Sequence, residues 1–151
     1  MAKTVVTHKG KMLFEGNSPS GHQVFMDASP DVGGENKGVR PMEMVLLGLG
    51  GCTGIDVISI LNKMRVAYEA FDMEIEADRA EDHPKIYEHI RIRYRFQGDE
   101  GQQDKFVRAV TLSQEKYCSV SAMLAATARI DASVEINGTV VTTLSHGGAP
   151  A

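Results

Sequence analysis

The most regular pattern in the chain is an alternation of apolar and charged residues over positions 69–79 and again over positions 86–97. A period of two is typical of strands with one buried face. A turn-like segment at residues 81–84 joins the two stretches. The pattern therefore predicts a hairpin whose outer faces have opposite charge, which favours pairing. Those faces carry Asp72, Glu74, Glu76 and Asp78 on one strand and Arg91, Arg93 and Arg95 on the other.

Shorter patterns predict further strands at both ends of the chain. Residues 3–8, 11–15 and 22–27 are expected to form three short strands, followed by a loop rich in Gly, Pro, Asn and Asp over residues 28–39. Asn137-Gly138 is a strong two-residue turn signal and predicts a hairpin of residues 129–136 and 139–144. Residues 146–151 are expected to be frayed.

A long helix is predicted to start at Pro41, whose missing N–H costs nothing in the first turn. Glu43 suits the positive end of the helix dipole. Apolar residues surround the axis over 44–61, so the helix should be buried on nearly all sides. About 24 residues would span roughly 36 Å, which is long for so small a domain. We expect something outside one monomer to help cover it.

Two shorter helices are predicted between the hairpins. Asp104 is the expected N-cap of the first, which continues to about residue 114. An interruption at residues 116–117 precedes a second helix over 118–128. The order of elements predicts an α+β fold, with antiparallel sheets packed around a long central buried helix in a single domain of residues 1–151.

Composition and charge narrow the class of protein. A net charge of -4 argues against a nucleic-acid or anionic-membrane partner. The start of the chain lacks the apolar run of a signal peptide, and glycines and polar residues interrupt positions 44–61, which makes that segment a poor membrane span. The expected location is the cytoplasm. In a reducing compartment, two cysteines are reactive, metal-binding or incidental rather than a structural disulfide.

The glycines in the long helix have two interpretations. Dinucleotide binding fails because Thr53 occupies the third glycine's place and no βαβ unit follows. A steric interpretation fits better, since Gly48, Gly51 and Gly54 are three residues apart and clear part of one helical face. Each disfavours helix by about 1 kcal/mol relative to Ala, so a packing or site role is expected.

Cys52 and Cys118 are either inert buried thiols or a redox pair. A reactive thiol needs nearby positive charge or a helix N-terminus to lower its pKa. Cys118 is expected to have both, at the start of its helix beside Lys116, whereas Cys52 in mid-helix needs an imported cation. Glu43 could orient a guanidinium that provides it. The five histidines have no metal-site spacing to the cysteines, so no metal site is expected.

The segments PMEMVLLGLGGCTGIDVISILNKMR and EKYCSVSAML, taken together, resemble the OsmC/Ohr family of bacterial thiol peroxidases, and its OsmC-like branch in particular. The resemblance covers nearly the whole chain. It implies the OsmC-like fold in an intertwined homodimer, with two active sites at the subunit interface. That expectation agrees with a helix that one monomer cannot easily cover.

The resemblance also implies residue roles. Cys52 would be the peroxidatic thiol, which attacks an organic hydroperoxide and becomes a sulfenic acid, and Cys118 the resolving thiol, which closes a disulfide. An external dithiol, of lipoyl type in the family, would restore both thiols, and no bound cofactor or metal is implied. Apolar residues such as Met44, Leu47 and Phe71 would favour an organic substrate over hydrogen peroxide.

One departure from the family pattern concerns the activating cation. Family peroxidases carry an arginine in an N-terminal strand or loop that pairs with the helix glutamate, but here the first arginine is Arg40. Glu43 also stands one place later than in the best-studied branch, which turns a helical side chain by about 100°. Arg40 is the candidate substitute, with a cation from the partner subunit, or weak activity, as the alternatives.

The sequence thus predicts a cytoplasmic, homodimeric, cysteine-based hydroperoxide reductase. Two alternatives stay open. The first is a non-catalytic protein of the same fold that binds a small apolar ligand at the dimer interface. The second is a thiol redox sensor that forms the Cys52–Cys118 disulfide without efficient peroxide turnover.

Overall fold

The computed structural model describes residues 2–148 and has the predicted α+β architecture of two sheets and helices. The described chain divides into two compact units, residues 2–47 and 48–148. The first contains a three-stranded sheet and the second a four-stranded sheet. Helix α1, Pro41–Lys63, begins in the first unit and continues in the second.

The sheet of the first unit is antiparallel in the order β1-β2-β3, with β1 at Val5–His8, β2 at Phe14–Asn17 and β3 at Gln23–Met26. All three predicted strands exist, but β2 begins three residues later than expected. The reason is a turn, in which the Leu13 N–H donates to the Gly10 carbonyl at 3.0 Å. Gly10 adopts the left-handed φ of 105° that glycine tolerates without strain.

A buried carboxylate organises the loop that precedes α1. Asp27 accepts hydrogen bonds from the backbone N–H groups of Ala28, Glu35 and Lys37, at 2.8, 3.2 and 3.0 Å. The bond from Lys37 is the largest cause of a pKa below the ordinary aspartate value. The sequence indicates a loop here, and the Asp27 contacts explain how its backbone donors are satisfied.

The sheet of the second unit has the order β4-β5-β6-β7. Strands β4, Tyr68–Arg79, and β5, Tyr87–Gly98, pair antiparallel, with Glu74 opposite Arg93. The predicted meeting of the acidic and basic outer faces is confirmed. The arginine ion pairs between these strands are Arg91 with Glu76 and Asp78, Arg93 with Glu74, and Arg95 with Asp72 and Glu74.

Strands β6, Arg129–Ile136, and β7, Thr139–Gly147, form the second predicted hairpin. β6 pairs with β5 in parallel, so the prediction of antiparallel sheets is wrong for this mixed sheet. The parallel pairing requires the helical crossover between the two strands. The prediction of a frayed end from residue 146 is wrong for residues 146 and 147, because β7 pairs with β6 up to Gly147. Residues 149–151 lie outside the described residues.

The crossover consists of α2, Gln103–Leu112, a π-helical turn, Ser113–Tyr117, and α3, Ser119–Leu124. The N-cap prediction for Asp104 is wrong, since that residue lies within the first turn of α2. Asp99 is the residue that caps, by accepting from the Gly101 N–H at 2.8 Å in a preceding 3-10 turn. The interruption predicted near residue 116 is the π-helical turn.

Helix α1 is buried along one stripe of the single chain, not on nearly all sides as predicted. Ile55 is 74% exposed. By length and composition alone α1 could also cross a membrane. Its polar residues Thr53 and Asp56 are instead hydrogen-bonded to side chains of the second unit, as in a helix packed on a protein core. The buried stripe is Leu49, Gly50, Thr53, Val57 and Leu61.

Candidate functional site

The structure brings Cys52 and Cys118 together. The two sulfurs and a carboxylate oxygen of Asp56 all lie within 4.8 Å of one another. Cys52 is half-buried on α1, and Cys118 is buried, with only 3% of its surface exposed. Asp56 follows Cys52 by four residues, which places both side chains on one face of the helix. These three groups form the candidate site.

The π-helical turn determines where Cys118 lies. The Cys118 N–H donates to the Ser113 carbonyl at 2.8 Å and so closes the wide turn. Cys118 then leaves the helical conformation and becomes the N-cap of α3, where its sulfur accepts from the Ser121 N–H at 3.4 Å. Single π-helical turns of this kind are frequently found at functional sites.

Burial raises the pKa of the Cys118 thiol above its ordinary value, and the neighbouring Cys52 adds to the increase. Hydrogen bonds from Ser121 act in the opposite direction without reversing it. The predicted position of Cys118 at a helix start is correct, but the predicted lowering of its pKa is wrong. Lys116 is directed elsewhere, because its Nζ lies over the Tyr117 ring, 5.3 Å from the centroid.

A chain of buried hydrogen bonds leads from the core to Asp56. Its contacts have only one consistent set of donors, because the Asp56 carboxylate can only accept. Ser113 Oγ donates to Asp56 Oδ2 at 3.0 Å. Ser113 must then accept from Thr53 Oγ1 at 2.7 Å, and Thr53 must accept from the Tyr94 hydroxyl at 2.7 Å. Every hydroxyl hydrogen in the chain is therefore directed toward Asp56.

The other end of this chain is the Gln114 side chain. Its amide nitrogen donates to the Tyr94 hydroxyl at 2.5 Å and to Thr53 at 3.3 Å. Its amide oxygen accepts from the Ser121 hydroxyl at 3.2 Å and lies 2.9 Å from His146 Nε2. This geometry requires His146 to carry a hydrogen on Nε2. The network thereby links β7, the crossover, β5 and α1 around the two thiols.

The glycines of α1 divide between two environments. A Cβ at Gly50 would lie 3.1 Å from Ile75 Cδ1, and one at Gly54 would lie 2.9 Å from Met73 Cε, so these two positions allow β4 to pack closely. Gly48 and Gly51 have nothing within 4 Å of an added Cβ. The predicted clearing of a single face by residues 48, 51 and 54 is therefore wrong in detail.

An open, mostly apolar groove of about 660 Å³ lies between α1 and β4. It includes Gly51 and Ile55, which flank Cys52 along the helix. Phe71, predicted to be an apolar neighbour of the site, lines the groove and stacks on Phe96 with ring centroids 4.5 Å apart. The lining residues are Gly50, Gly51, Gly54, Ile55, Ile58, Ser59, Asn62, Phe71 and Met73.

Arg40 and Glu43 belong to the first unit, and the Glu43 side chain contacts the Arg40 backbone. Glu43 Oε2 accepts from the Arg40 N–H at 2.9 Å, which is the carboxylate half of a capping box at the start of α1. The Arg40 guanidinium donates to the Gly38 carbonyl and to Asn36 Oδ1, each at 3.0 Å. Glu43 therefore has a structural role as a helix cap. Its assignment, with Arg40, to the activation of Cys52 stays a prediction.

Asp56 is the principal site residue that the sequence analysis did not identify. Its signal was present, because a cysteine and a carboxylate four residues apart share a helical face. Ser113, Gln114 and Tyr94 had no such signal. Their proximity to Thr53 on α1 depends on the packing of elements that are distant in sequence. Tyr94 lies on β5, and Ser113 and Gln114 lie on the π-helical turn.

Comparison with known proteins agrees with this description. Residues 34–133 match the family model described as OsmC-like protein. Protein YhfA of Escherichia coli K12 is 39% identical over 125 residues, which cover 83% of this chain and 90% of YhfA. A solved structure of a hypothetical protein from Aquifex aeolicus VF5 has a TM-score of 0.78 and 32% identity, and covers 91% of this chain and 96% of that one.

A more distant solved structure shares the fold. It is described as an organic hydroperoxide resistance protein OsmC from Legionella pneumophila, with a TM-score of 0.66 and 14% identity over 89% of this chain and 96% of that one. The family resemblance inferred from the two cysteine segments is therefore confirmed. On the match over residues 34–133 and the relation to YhfA, this chain is a member of the OsmC-like protein family.

Proposed function

We propose that the protein is a thiol-dependent peroxidase that reduces organic hydroperoxides in the bacterial cytoplasm. The observation that supports it best is the approach of the Cys52 and Cys118 sulfurs to within 4.8 Å, from elements far apart in sequence. Family membership supports the same class of reaction, since the Legionella pneumophila structure of this fold is described as an organic hydroperoxide resistance protein.

The proposed reaction begins at Cys52, the more exposed of the two thiols. Its thiolate attacks the terminal oxygen of the hydroperoxide, the O–O bond breaks, and the alkoxide leaves and takes a proton to become an alcohol. Cys52 is now a sulfenic acid. The Cys118 thiol attacks the Cys52 sulfur, a disulfide forms, and the sulfenic oxygen leaves with two protons as water.

The raised pKa of Cys118 suits its proposed role as the resolving thiol, which reacts second. A thiol held protonated by burial is a poor first nucleophile, because the thiolate is the reactive form. An external dithiol, of lipoyl type or another class, would reduce the disulfide by thiol–disulfide exchange. The proposed cycle needs no bound cofactor, because every electron comes from the two sulfurs and the external reductant.

The surroundings of α1 support an organic substrate and a homodimer. The groove that includes Gly51 and Ile55 is largely apolar and would favour a hydrocarbon chain over water-like hydrogen peroxide. Ile55, at 74% exposure, lies on a helix face that a second copy could cover. A cation near Cys52 would stabilise its thiolate, and the partner subunit or Arg40 is the proposed source.

Stopped-flow measurement with cumene hydroperoxide tests the proposal. We expect the reduced protein to be oxidised orders of magnitude faster than a free thiol at the same pH, and Cys52→Ser to abolish the fast phase. Cys118→Ser is the matched control, since it removes a thiol of the same site but should leave the first oxidation fast. A wild-type rate no greater than that of a free thiol would refute peroxidase function.

The apolar groove also favours a second candidate, a binding protein for a small apolar ligand. This function predicts saturable binding of an apolar fluorescent probe that Phe71→Ala weakens, together with slow peroxide reaction. A redox sensor is the third candidate, and it predicts the Cys52–Cys118 disulfide without repeated turnover when dithiol is in excess. Turnover number and probe affinity together separate the three functions.

A further inference from the structure

The three groups of the candidate site form a set of metal ligands. Among residues 2–148, Cys52, Asp56 and Cys118 are the group of at least three such residues whose ligand atoms converge, all within 4.8 Å. In a tetrahedral zinc site, Zn–S bonds of about 2.3 Å place two sulfurs about 3.8 Å apart. Small side-chain rotations would therefore bring these atoms around one ion.

The buried network prepares Asp56 for this role. Because each hydroxyl from Tyr94 through Thr53 to Ser113 donates toward it, the Asp56 carboxylate is held as an acceptor with a fixed orientation. Hydrogen bonds from second-layer residues orient ligands in the same way at known metal sites. On the other side, Cys118 Sγ is fixed by the Ser121 N–H.

The lack of a nearby cation in the described part of the second unit points in the same direction. No ion pair within 4.0 Å among residues 48–148 involves Asp56. A divalent cation would give the carboxylate a partner of opposite charge and would displace the thiol protons on binding the two sulfurs. Two sulfur ligands select a soft or borderline ion such as Zn²⁺ over Mg²⁺ or Ca²⁺.

We infer that the reduced protein binds one zinc-class divalent ion through Cys52, Asp56 and Cys118, with a fourth position left to water. This inference goes beyond the proposed peroxidase and does not depend on it. The ion would use the same sulfur lone pairs that attack a peroxide, so it would protect the thiols rather than assist them. Oxidation to the disulfide would release the ion, because a disulfide sulfur is a poor ligand.

The experiment uses chelator-treated, reduced full-length protein without peroxide. Zn²⁺ is titrated in competition with a chromophoric chelator, and Co²⁺ is added separately to record its visible and near-ultraviolet spectrum. We expect one equivalent per chain, and a tetrahedral Co²⁺ spectrum with sulfur-to-metal charge transfer that Cys52→Ser removes. Asp56→Asn should weaken Zn²⁺ affinity by about tenfold or more. Asp82→Asn, an exposed turn residue, is the matched control and should bind as the wild type does.

Oxidation provides a readout that does not need a folded variant. Diamide accepts two electrons from the sulfurs and two protons from solvent, the S–S bond forms, and one Zn²⁺ per chain should be released. Equal affinity in the wild type and Asp56→Asn, or a Co²⁺ spectrum without sulfur ligation, would overturn the inference. Because no peroxide is present, that failure leaves the proposed peroxidase untouched, and slow peroxide reaction in the metal-free protein would leave zinc binding untouched.

Discussion

The Thr53 and Tyr94 hydroxyls lie 2.7 Å apart in the core and join α1 to β5 at the residue next to Cys52. Both side chains are completely buried. Burial also raises the pKa of Tyr94 well above its ordinary value, so the phenol stays a hydrogen-bond donor. The position of Cys52 therefore depends on a buried polar contact next to it on the helix.

Thr53→Val should destabilise the protein by about 1–3 kcal/mol, because it removes the acceptor of the buried Tyr94 hydroxyl hydrogen and the donor to Ser113 Oγ. Urea unfolding measures this change. Thr139→Val is the matched control on an exposed strand position and should change stability by less than about 0.5 kcal/mol. Equal stability of the two variants would contradict the assigned network.

Cys118 should react with iodoacetamide only as the pH rises above the range of an ordinary thiol. Burial holds its pKa above the reference value, so its thiolate population at neutral pH is small. The measurement is the pH dependence of alkylation in Cys52→Ser, which isolates Cys118. We expect a midpoint above that of a free thiol measured under the same conditions. A midpoint below that value would show that Cys118 is activated.

Gly51→Ala should separate packing within the chain from packing between chains. An added Cβ at Gly51 meets nothing within 4 Å, and Ala favours helix by about 1 kcal/mol, so the single chain should not be destabilised. If this face of α1 covers a second copy as proposed, the methyl group should weaken dimerisation by about tenfold or more in sedimentation equilibrium. Unchanged association would place the interface elsewhere.

Asp131 should make stability depend on pH in the acid range. Desolvation opposes ionisation, but hydrogen bonds from Ser145, His89 and Arg129 outweigh it and lower the pKa of Asp131 to about 2. Because the pKa of Asp131 is lower in the folded protein than the unfolded value of 3.8, the ionised carboxylate stabilises the folded state at pH values above 3.8. That stabilisation is lost as the pH falls toward 2.

Asp131→Asn should therefore cost about 1 kcal/mol near pH 6, an amount reduced by solvent screening of a side chain that is 28% exposed. The difference from the wild type should vanish near pH 2. Chemical denaturation at several pH values tests this, and a difference that persists at pH 2 would assign the cost to packing rather than charge.

Local patterns predicted most strands, because alternation determines which face is buried. The charged faces also indicated that the acidic and basic strands pair, although the register that places Glu74 opposite Arg93 came only from the structure. The parallel pairing of β5 and β6 could not be predicted, since it depends on a crossover rather than on either strand. The start of α2 was misjudged for a different reason. Asp99 caps a preceding 3-10 turn, and α2 follows directly from that turn with Gln102 at its N-cap and no side-chain cap.

The sequence predicted the two thiols of the candidate site but not their surroundings. The two cysteines were identified from their sequence contexts, whereas the environment of Cys118 was not. A helix start beside Lys116 suggested an activated thiol, but tertiary burial outweighs that local effect. The surroundings of Asp56 were out of reach of local patterns too, because its hydrogen-bond partner Ser113 lies 57 residues away.

The proposed peroxidase is tested most directly by treating the reduced protein with one equivalent of cumene hydroperoxide and identifying the product by non-reducing peptide mass spectrometry. We expect an intramolecular Cys52–Cys118 disulfide in the wild type and a trapped sulfenic acid at Cys52 in Cys118→Ser. Recovery of both thiols unmodified, or oxidation without a bond between these two sulfurs, would contradict the proposal.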